Sequence, residues 1–145
     1  MPKKIKKNIT AISRKKGKVR LSQAGLSTDG NNDKKRPVFS FHQMQEKHYC
    51  LDACNDKEKI SLIRTLDKLS QSTCQELKNV HRHKLGAEKI NYSAIKGCPV
   101  PDFIIEQNIT LLAFRFCSKK PMVGYREGQI YHILWLDRDY SLYQH

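Results

Sequence analysis

The chain has 145 residues, of which 39% are hydrophobic, and a formal net charge of +13. This length and apolar content fit one domain with a modest core, and no run reaches the roughly 18 apolar residues that a membrane-spanning helix needs. The basic start of the chain is not followed by an apolar segment and a cleavage site. We therefore expect a soluble, cytoplasmic protein without a membrane partner.

The positive charge is concentrated at one end of the chain. Residues 1–36 carry 12 Lys or Arg and two Asp, a net charge of +10, whereas residues 37–145 carry 15 basic and 12 acidic residues, a net charge of +3. Because few apolar residues recur in 1–36, we predict a disordered basic arm there and one folded domain over 37–145.

A basic arm of this kind binds nucleic acid by releasing condensed counterions, and a solubilising tail is the alternative interpretation. The predicted nucleic-acid-binding residues of the arm are Lys3, Lys4, Lys6, Lys7, Arg14, Lys15, Lys16, Lys18 and Arg20, and those of the domain are Arg82, Lys84, Lys119 and Lys120. The run from His81 to Lys84 is dense enough for a phosphate-facing loop, although it also fits a solvated charge run.

The first predicted elements are a short strand and two helices. Residues 37–42 favour a strand, and Asn55 with Glu58 forms a capping-box pattern at the start of a helix. The apolar face of this helix is predicted to consist of Leu62, Ile63, Leu66 and Leu69. Ser70 is predicted to end it and to cap a second helix that places Cys74 and Leu77 in the core.

The last third of the chain alternates like an antiparallel sheet. Residues 110–116 predict a strand with Leu112, Phe114 and Phe116 on one face and Arg115 on the other. A tight hairpin around Glu127-Gly128 is predicted next, and it places Trp135 on the same side as Arg126, Tyr131 and Ile133, opposite His132. A short strand over 141–144 closes the chain. The predicted fold class is α+β, with short helices packed on a small antiparallel sheet that ends in a C-terminal β-meander.

Metal and cofactor motifs are missing from the sequence. It contains no G-x-G-x-x-G, P-loop, H-E-x-x-H or G-x-S-x-G pattern. The five cysteines are an odd, scattered set, which favours reduced core thiols over disulfides, and the His48, Cys50 and Cys54 group has no second ligand pair of the kind that zinc sites use. We therefore predict neither a metal nor a cofactor.

Arg, His and Tyr side chains gather on and beside the predicted C-terminal sheet, notably Arg115, Arg126, Tyr143 and His145. These types suit attack of an RNA 2′-hydroxyl on its neighbouring phosphate, which needs a base, an acid and a cation for the developing charge. Blander interpretations remain open at this point. Arg115 could pair with Glu106 or Asp137, and His132 could be a hydrogen-bonded histidine at the edge of the core.

The segment "LLAFRF" followed by "PMVGYREGQIYHILWLDRDYSLY" resembles the C-terminal half of the RelE/ParE superfamily of bacterial toxins, and "LIRTLDKLSQSTCQEL" resembles their helix pair. The resemblance spans 37–145 and implies a RelE-like α+β domain. The nuclease branch of that superfamily cuts messenger RNA without a metal, commonly on the ribosome, under control of a protein antitoxin or inhibitor. Another branch poisons DNA gyrase.

By position, the resemblance implies that Arg115 or Arg126 stabilises the phosphorane, that Glu88 or His83 acts as base, and that His145 or Tyr143 is the acid or the stacking group. The first hypothesis is therefore a metal-independent endoribonuclease toxin of a toxin–antitoxin or phage-defence module. The second is a non-catalytic protein that binds nucleic acid with its basic arm. The third is an inhibitor directed at gyrase or another protein.

Overall fold

A computed structural model of the chain describes residues 31–45, 47–79 and 87–145, and these residues form helices packed on one sheet. The helices are α1 (Asp56–Ser70), α2 (Cys74–Asn79) and α3 (Asp102–Glu106), and the strands are β1 (Val38–Ser40), β2 (Glu88–Ile90), β3 (Leu111–Cys117), β4 (Lys120–Glu127) and β5 (Ile130–Leu136). Short 3-10 helices span Asn32–Lys34, Lys47–Tyr49, Leu51–Ala53 and Tyr92–Ala94. The α+β class is confirmed.

The sheet has the strand order β1-β5-β4-β3-β2. Strands β3, β4 and β5 form the predicted C-terminal meander, and β2 adds to it in antiparallel fashion. Strand β1 is the exception to the predicted antiparallel sheet, because it runs parallel to β5. A parallel pair needs a long crossover connection, and the chain between β1 and the meander supplies one. No described helix is long and apolar enough to cross a membrane.

Both faces of the sheet are covered. Phe114, Phe116 and Ile133 belong to a core shared with α1 and α2, whereas Val123 and Trp135 belong to a second core with Ile104 of α3. Because neighbouring residues of a strand point to opposite faces, the two clusters lie on the two sides of the same sheet. The sheet is thus the central layer of the domain.

Two details of the meander differ from the sequence prediction. The tight turn lies at Gly128-Gln129, with Gly128 at φ 62°, so it is one residue later than predicted. The register between β4 and β5 also shifts, since Val123 pairs with Trp135 but Gly124 pairs with Ile133. One extra residue in β5 reverses the alternation, so the predicted placement of Trp135 beside Ile133 is wrong.

Helix α1 begins as predicted. The side chain of Asn55 accepts from the Glu58 backbone N–H at 2.8 Å, and the Asn55 backbone N–H donates to Glu58 Oε1 at 2.9 Å. Leu62 and Leu69 are fully buried, but the predicted place of Ile63 on this face is wrong, because Ile63 is 61% exposed.

The start of α2 also differs from the prediction. Ser70 is the last residue of α1, and Thr73 caps α2 instead, accepting from the Glu76 backbone N–H at 3.1 Å. Cys74 and Leu77 are buried as predicted.

Residues before the predicted boundary at residue 37 also bond to the domain. The backbone carbonyl of Lys35 accepts from the Cys74 N–H at 2.9 Å, and the carbonyl of Arg36 accepts from the Gln129 side chain at 3.2 Å. Residues 31–36 are therefore attached to α2 and to the hairpin turn. Residues 1–30, which hold the nine predicted nucleic-acid-binding residues of the arm, lie outside the described residues.

A buried carboxylate joins three parts of the domain. Glu58 is 1% exposed and accepts from Lys120 Nζ at 2.9 Å and from Arg138 Nε at 2.7 Å. Burial alone would raise the pKa of Glu58, but the bonds from Asn55, Lys120 and Arg138 outweigh it and lower the pKa to about 2. Glu58 thereby ties the start of α1 to β4 and to the segment after β5.

Replacing Glu58 by Gln is expected to lower the free energy of unfolding by about 3 kcal/mol, because Lys120 and Arg138 lose their partly buried counter-charge. The change of exposed Asp56 to Asn in the same helical turn is the matched control and should cost well under this amount. Urea unfolding at pH 7 measures both, and equal losses in the two variants would contradict the assignment.

The folded-state pKa of Glu58 lies below its ordinary value of 4.5, so its contribution to stability is present above pH 4.5 and is lost as the pH falls towards about 2. Between pH 4.5 and about 2, the free energy of unfolding should therefore fall more for the wild-type protein than for Glu58→Gln, as measured by urea unfolding at each pH.

Candidate active site

One narrow cleft collects four of the predicted catalytic residues. Its walls include Glu88, Arg115, Tyr143 and His145, together with Lys119 from the β3–β4 turn. The cavity volume is about 20 Å³, which is room for roughly one water molecule. Side chains from β2, β3, the β3–β4 turn and the C-terminal segment, residues 137–145, thus meet at one place.

Strand register brings Glu88 and Arg115 together. Glu88 pairs with Ala113 across the antiparallel β2–β3 ladder, and Arg115 lies two residues further along β3. Residues two apart in a strand share a face, so Glu88 and Arg115 are diagonal neighbours on the same side of the sheet. The pairing of Arg115 with Pro121 of β4 places this point next to the turn that carries Lys119.

The C-terminal segment is held by Asp137, which is fully buried. Its Oδ1 accepts from the Ser141 N–H at 3.0 Å, and its Oδ2 accepts from the Leu142 N–H at 3.3 Å. His145 Nε2 also lies 3.2 Å from Asp137 Oδ2. A single carboxylate therefore folds the chain back after β5 and positions the last histidine.

This fold-back replaces the closing strand that was predicted over 141–144. The Leu142 carbonyl accepts from the backbone N–H groups of Lys96 at 2.8 Å and Gly97 at 3.0 Å, and Tyr143 makes only an isolated antiparallel bridge with Ile95. Strand β5 already lies between β1 and β4, and the N–H groups of Ser141 and Leu142 and the Leu142 carbonyl are bonded to Asp137 and to the 95–97 segment. Tyr143 is consequently directed into the cleft.

His145 packs against two aromatic rings. Its ring centroid lies 4.1 Å from that of Tyr143 and 5.3 Å from that of Tyr140. The contact with Asp137 uses Nε2, which orients the ring and leaves Nδ1 for a proton transfer. A carboxylate bonded to one ring nitrogen fixes the orientation of the ring, as it does in many sites where histidine acts as acid or base.

The electrostatics of the cleft favour a neutral phenol and an available cation. Burial raises the pKa of Tyr143, the carboxylates of Glu88 and Asp137 raise it further, and the Arg115 guanidinium partly offsets them. Tyr143 therefore remains a hydrogen-bond donor. Among the described residues no carboxylate lies within ion-pair distance of Arg115, so the predicted alternatives of pairing with Glu106 or Asp137 are not observed.

Arg126 does not join the cleft. Its Nε donates to the Gly128 carbonyl at 2.6 Å, and its Nη2 lies 2.7 Å from Asp33 Oδ1. It pairs across β4 and β5 with Tyr131, which belongs to the core shared with α1 and α2. Arg126 therefore lies away from Arg115. The two arginines that the sequence made equivalent candidates for phosphate contact thus lie in different surroundings.

The remaining predicted site residues lie in different places. Lys119 lines the cleft, whereas Lys120 bonds to Glu58 of α1. His83, Arg82 and Lys84 lie outside the described residues.

His132 is partly buried and stacks on Tyr125 at 4.7 Å, and burial lowers its pKa. Its ring nitrogens have no hydrogen-bond partner in the described part of the chain, so the expected hydrogen bond is not observed.

The predicted absence of a metal site concerned the group around His48. His48 Nε2 lies 2.8 Å from Asp139, and Cys50 donates to the Lys47 carbonyl at 3.0 Å. Over the described ranges no three His, Cys, Asp or Glu side chains are arranged as a metal site.

Asp137 is the site residue that sequence reasoning missed, since it was considered only as a partner of Arg115. The segment "DRDYS" carries only a weak local signal for it. In turns an Asp side chain commonly accepts from backbone N–H groups about two residues on, whereas Asp137 accepts from groups four and five residues on. Its link to His145 eight residues away follows from that turn.

Comparison of the chain with protein-family models, with curated proteins and with solved structures finds no match. The chemistry of the cleft therefore follows from the geometry of its own residues.

Replacing Asp137 by Asn is expected to lower the free energy of unfolding by about 1–3 kcal/mol, because the backbone N–H groups of Ser141 and of buried Leu142 lose a charged acceptor. The His145 ring signals in a nitrogen-15 NMR spectrum should shift as well. Asp139→Asn is the control two residues away, and its side chain is 51% exposed, so we expect a smaller loss. Equal losses and an unchanged His145 spectrum would contradict the anchoring role of Asp137.

Proposed function

We propose that the protein is a metal-independent endoribonuclease that cleaves RNA by attack of a 2′-hydroxyl on the adjacent phosphate. The observation that carries the proposal is the convergence of Glu88, Arg115, Tyr143 and His145 on one cleft. A base, a cation, a hydrogen-bond donor and an acid are the groups that this reaction needs.

Each residue has one role in the proposed reaction. Glu88 takes the proton of the 2′-hydroxyl while that oxygen bonds to phosphorus. Arg115 binds two phosphate oxygens through its planar fork as negative charge develops on them. His145, in its protonated form, gives a proton to the 5′-oxygen as the bond from phosphorus to that oxygen breaks. The products are a 2′,3′-cyclic phosphate and a 5′-hydroxyl.

Tyr143 and Asp137 support this chemistry without exchanging protons. The phenol of Tyr143, kept neutral by its surroundings, donates a hydrogen bond to the phosphate or stacks on a base. The buried carboxylate of Asp137 orients the imidazole of His145. A phosphodiester is larger than the cavity of about 20 Å³, so substrate binding widens the cleft between Arg115 and the C-terminal segment.

The resemblance of 37–145 to the RelE/ParE superfamily supports a biological setting for this activity. We place it in a bacterial toxin–antitoxin or phage-defence module, with messenger RNA as substrate, cleavage on the ribosome, and a protein antitoxin as inhibitor. A cytoplasmic location belongs to the same proposal.

A second function is favoured by the charge distribution. Residues 1–36 carry a net charge of +10, and binding through counterion release requires no catalytic cleft. The protein would then be a nucleic-acid-binding protein whose basic arm makes the contacts. Cleavage and binding assays on the same variants separate the two functions.

Purified protein is expected to cleave RNA in the presence of a chelator and to leave 2′,3′-cyclic phosphate ends. Arg115→Ala and His145→Ala should each lower the cleavage rate by about 100-fold or more, since each removes a group that acts in the transition state. Exposed Arg64→Ala and His42→Ala are matched controls and should retain wild-type rates.

Thermal unfolding checks that all four variants are folded. Intact RNA under these conditions, combined with loss of RNA binding on deletion of residues 1–30, would reject cleavage and support the second function.

A further inference from the structure

Asp33 occupies an anion site built by two cations from different elements. Lys78 Nζ of α2 lies 3.0 Å from both Asp33 carboxylate oxygens, and Arg126 Nη2 of β4 lies 2.7 Å from Oδ1. Asp33 itself belongs to the 3-10 helix Asn32–Lys34, through which the basic arm enters the domain. The hydrogen bonds from Lys78 and then Arg126 lower the pKa of Asp33.

The guanidinium of Arg126 has a second partner besides Asp33. Its Nε donates to the Gly128 carbonyl at 2.6 Å, and its side chain is 21% exposed. The side chains of Asp33 and Lys78 are 43% and 50% exposed. Ion pairs in contact with water contribute little net stability, so another anion can replace Asp33 at small cost.

A polar recess adjoins the ion pair and offers space for a larger ligand. Asn31, Asn32, Asp33, Arg126 and Gly128 line it, and its volume is about 540 Å³. The Oδ1 atom of Asn32 is buried without a partner among the described residues, so a small movement of this side chain would let it accept from a hydroxyl or amino group of a ligand. A nucleotide supplies both groups, since its phosphate is the anion and the amino group of its base is such a donor.

The chain that leads into this recess identifies the ligand class. Residues 1–30 carry nine Lys or Arg and one Asp, and they join the described domain at Asn31, which lines the recess. A polyanion attracted by the charge of the arm is thereby concentrated near the residues that follow it in sequence. Single-stranded RNA carries a phosphate at every residue and is a polyanion of this kind.

We propose that Arg126 and Lys78 form a second phosphate subsite for RNA, that Asp33 occupies it in the free protein, and that RNA displaces Asp33 on binding. The inference rests on the proposed function in that RNA is the ligand. It assigns Arg126 to substrate binding away from the cleavage cleft and makes Asp33 a competitor that weakens binding to this subsite.

The test measures binding of a 2′-O-methyl RNA, which cannot undergo 2′-hydroxyl attack, at low salt by fluorescence anisotropy. Asp33→Asn is expected to tighten binding about fivefold, because the competing carboxylate is removed while its shape is kept. Exposed Asp67→Asn on α1 makes the same change in net charge away from the subsite and should have a smaller effect.

Arg126→Ala should weaken binding and reduce the slope of log affinity against log salt by about 0.7, the value for one contact with a single strand. The double variant Asp33→Asn with Arg126→Ala should show none of the gain.

Two results would overturn the proposal. One is equal binding by Asp33→Asn and Asp67→Asn together with lower thermal stability of Asp33→Asn, which makes Asp33 only an anchor for residues 31–36. The other is an equal gain for poly-glutamate, which makes the site a general carboxylate or acidic-protein site. A gain for RNA in a protein that does not cleave RNA supports the subsite and rejects only the nuclease.

Discussion

The buried carboxylate of Asp137 is the interaction on which the candidate active site depends. It accepts from two backbone N–H groups and from His145, so one charged group both turns the chain after β5 and positions an imidazole. Charged acceptors in a low-dielectric interior make stronger hydrogen bonds than neutral ones do. This fold-back brings Tyr143 and His145 to the cleft that Arg115 lines.

A second buried carboxylate, Glu58, stabilises the frame around that site. Lys120 and Arg138, its two partners, are sequence neighbours of cleft residue Lys119 and of Asp137. Helix α1 therefore restrains both the β3–β4 turn and the start of the C-terminal segment from the opposite side of the sheet. The cleft is thus supported by charge pairs on one face and by the Trp135 core on the other.

Several elements could be predicted because their signals are local. The capping box of α1 needs only Asn55 and Glu58, and the meander follows from alternation over neighbouring residues. The reversal at Trp135 could not be predicted, since one extra residue in β5 changes the facing of later residues without altering their composition. The pairing of Arg126 with Asp33 was missed for another reason. The two residues are 93 positions apart, and no local pattern links them.

By itself, the sequence determined the kinds of side chain present, the placement of basic charge in residues 1–36, and the order of β1, α1, α2 and the three meander strands, but not β2 or α3. These are properties of single residues and short windows, which propensity and periodicity describe. Only the tertiary structure decided which side chains surround each arginine. Arg115 lines a cleft with Glu88, Tyr143 and His145, whereas Arg126 lies beside Asp33, which also bonds to Lys78. The physical reason is that strand register and a buried carboxylate join segments that are distant along the chain.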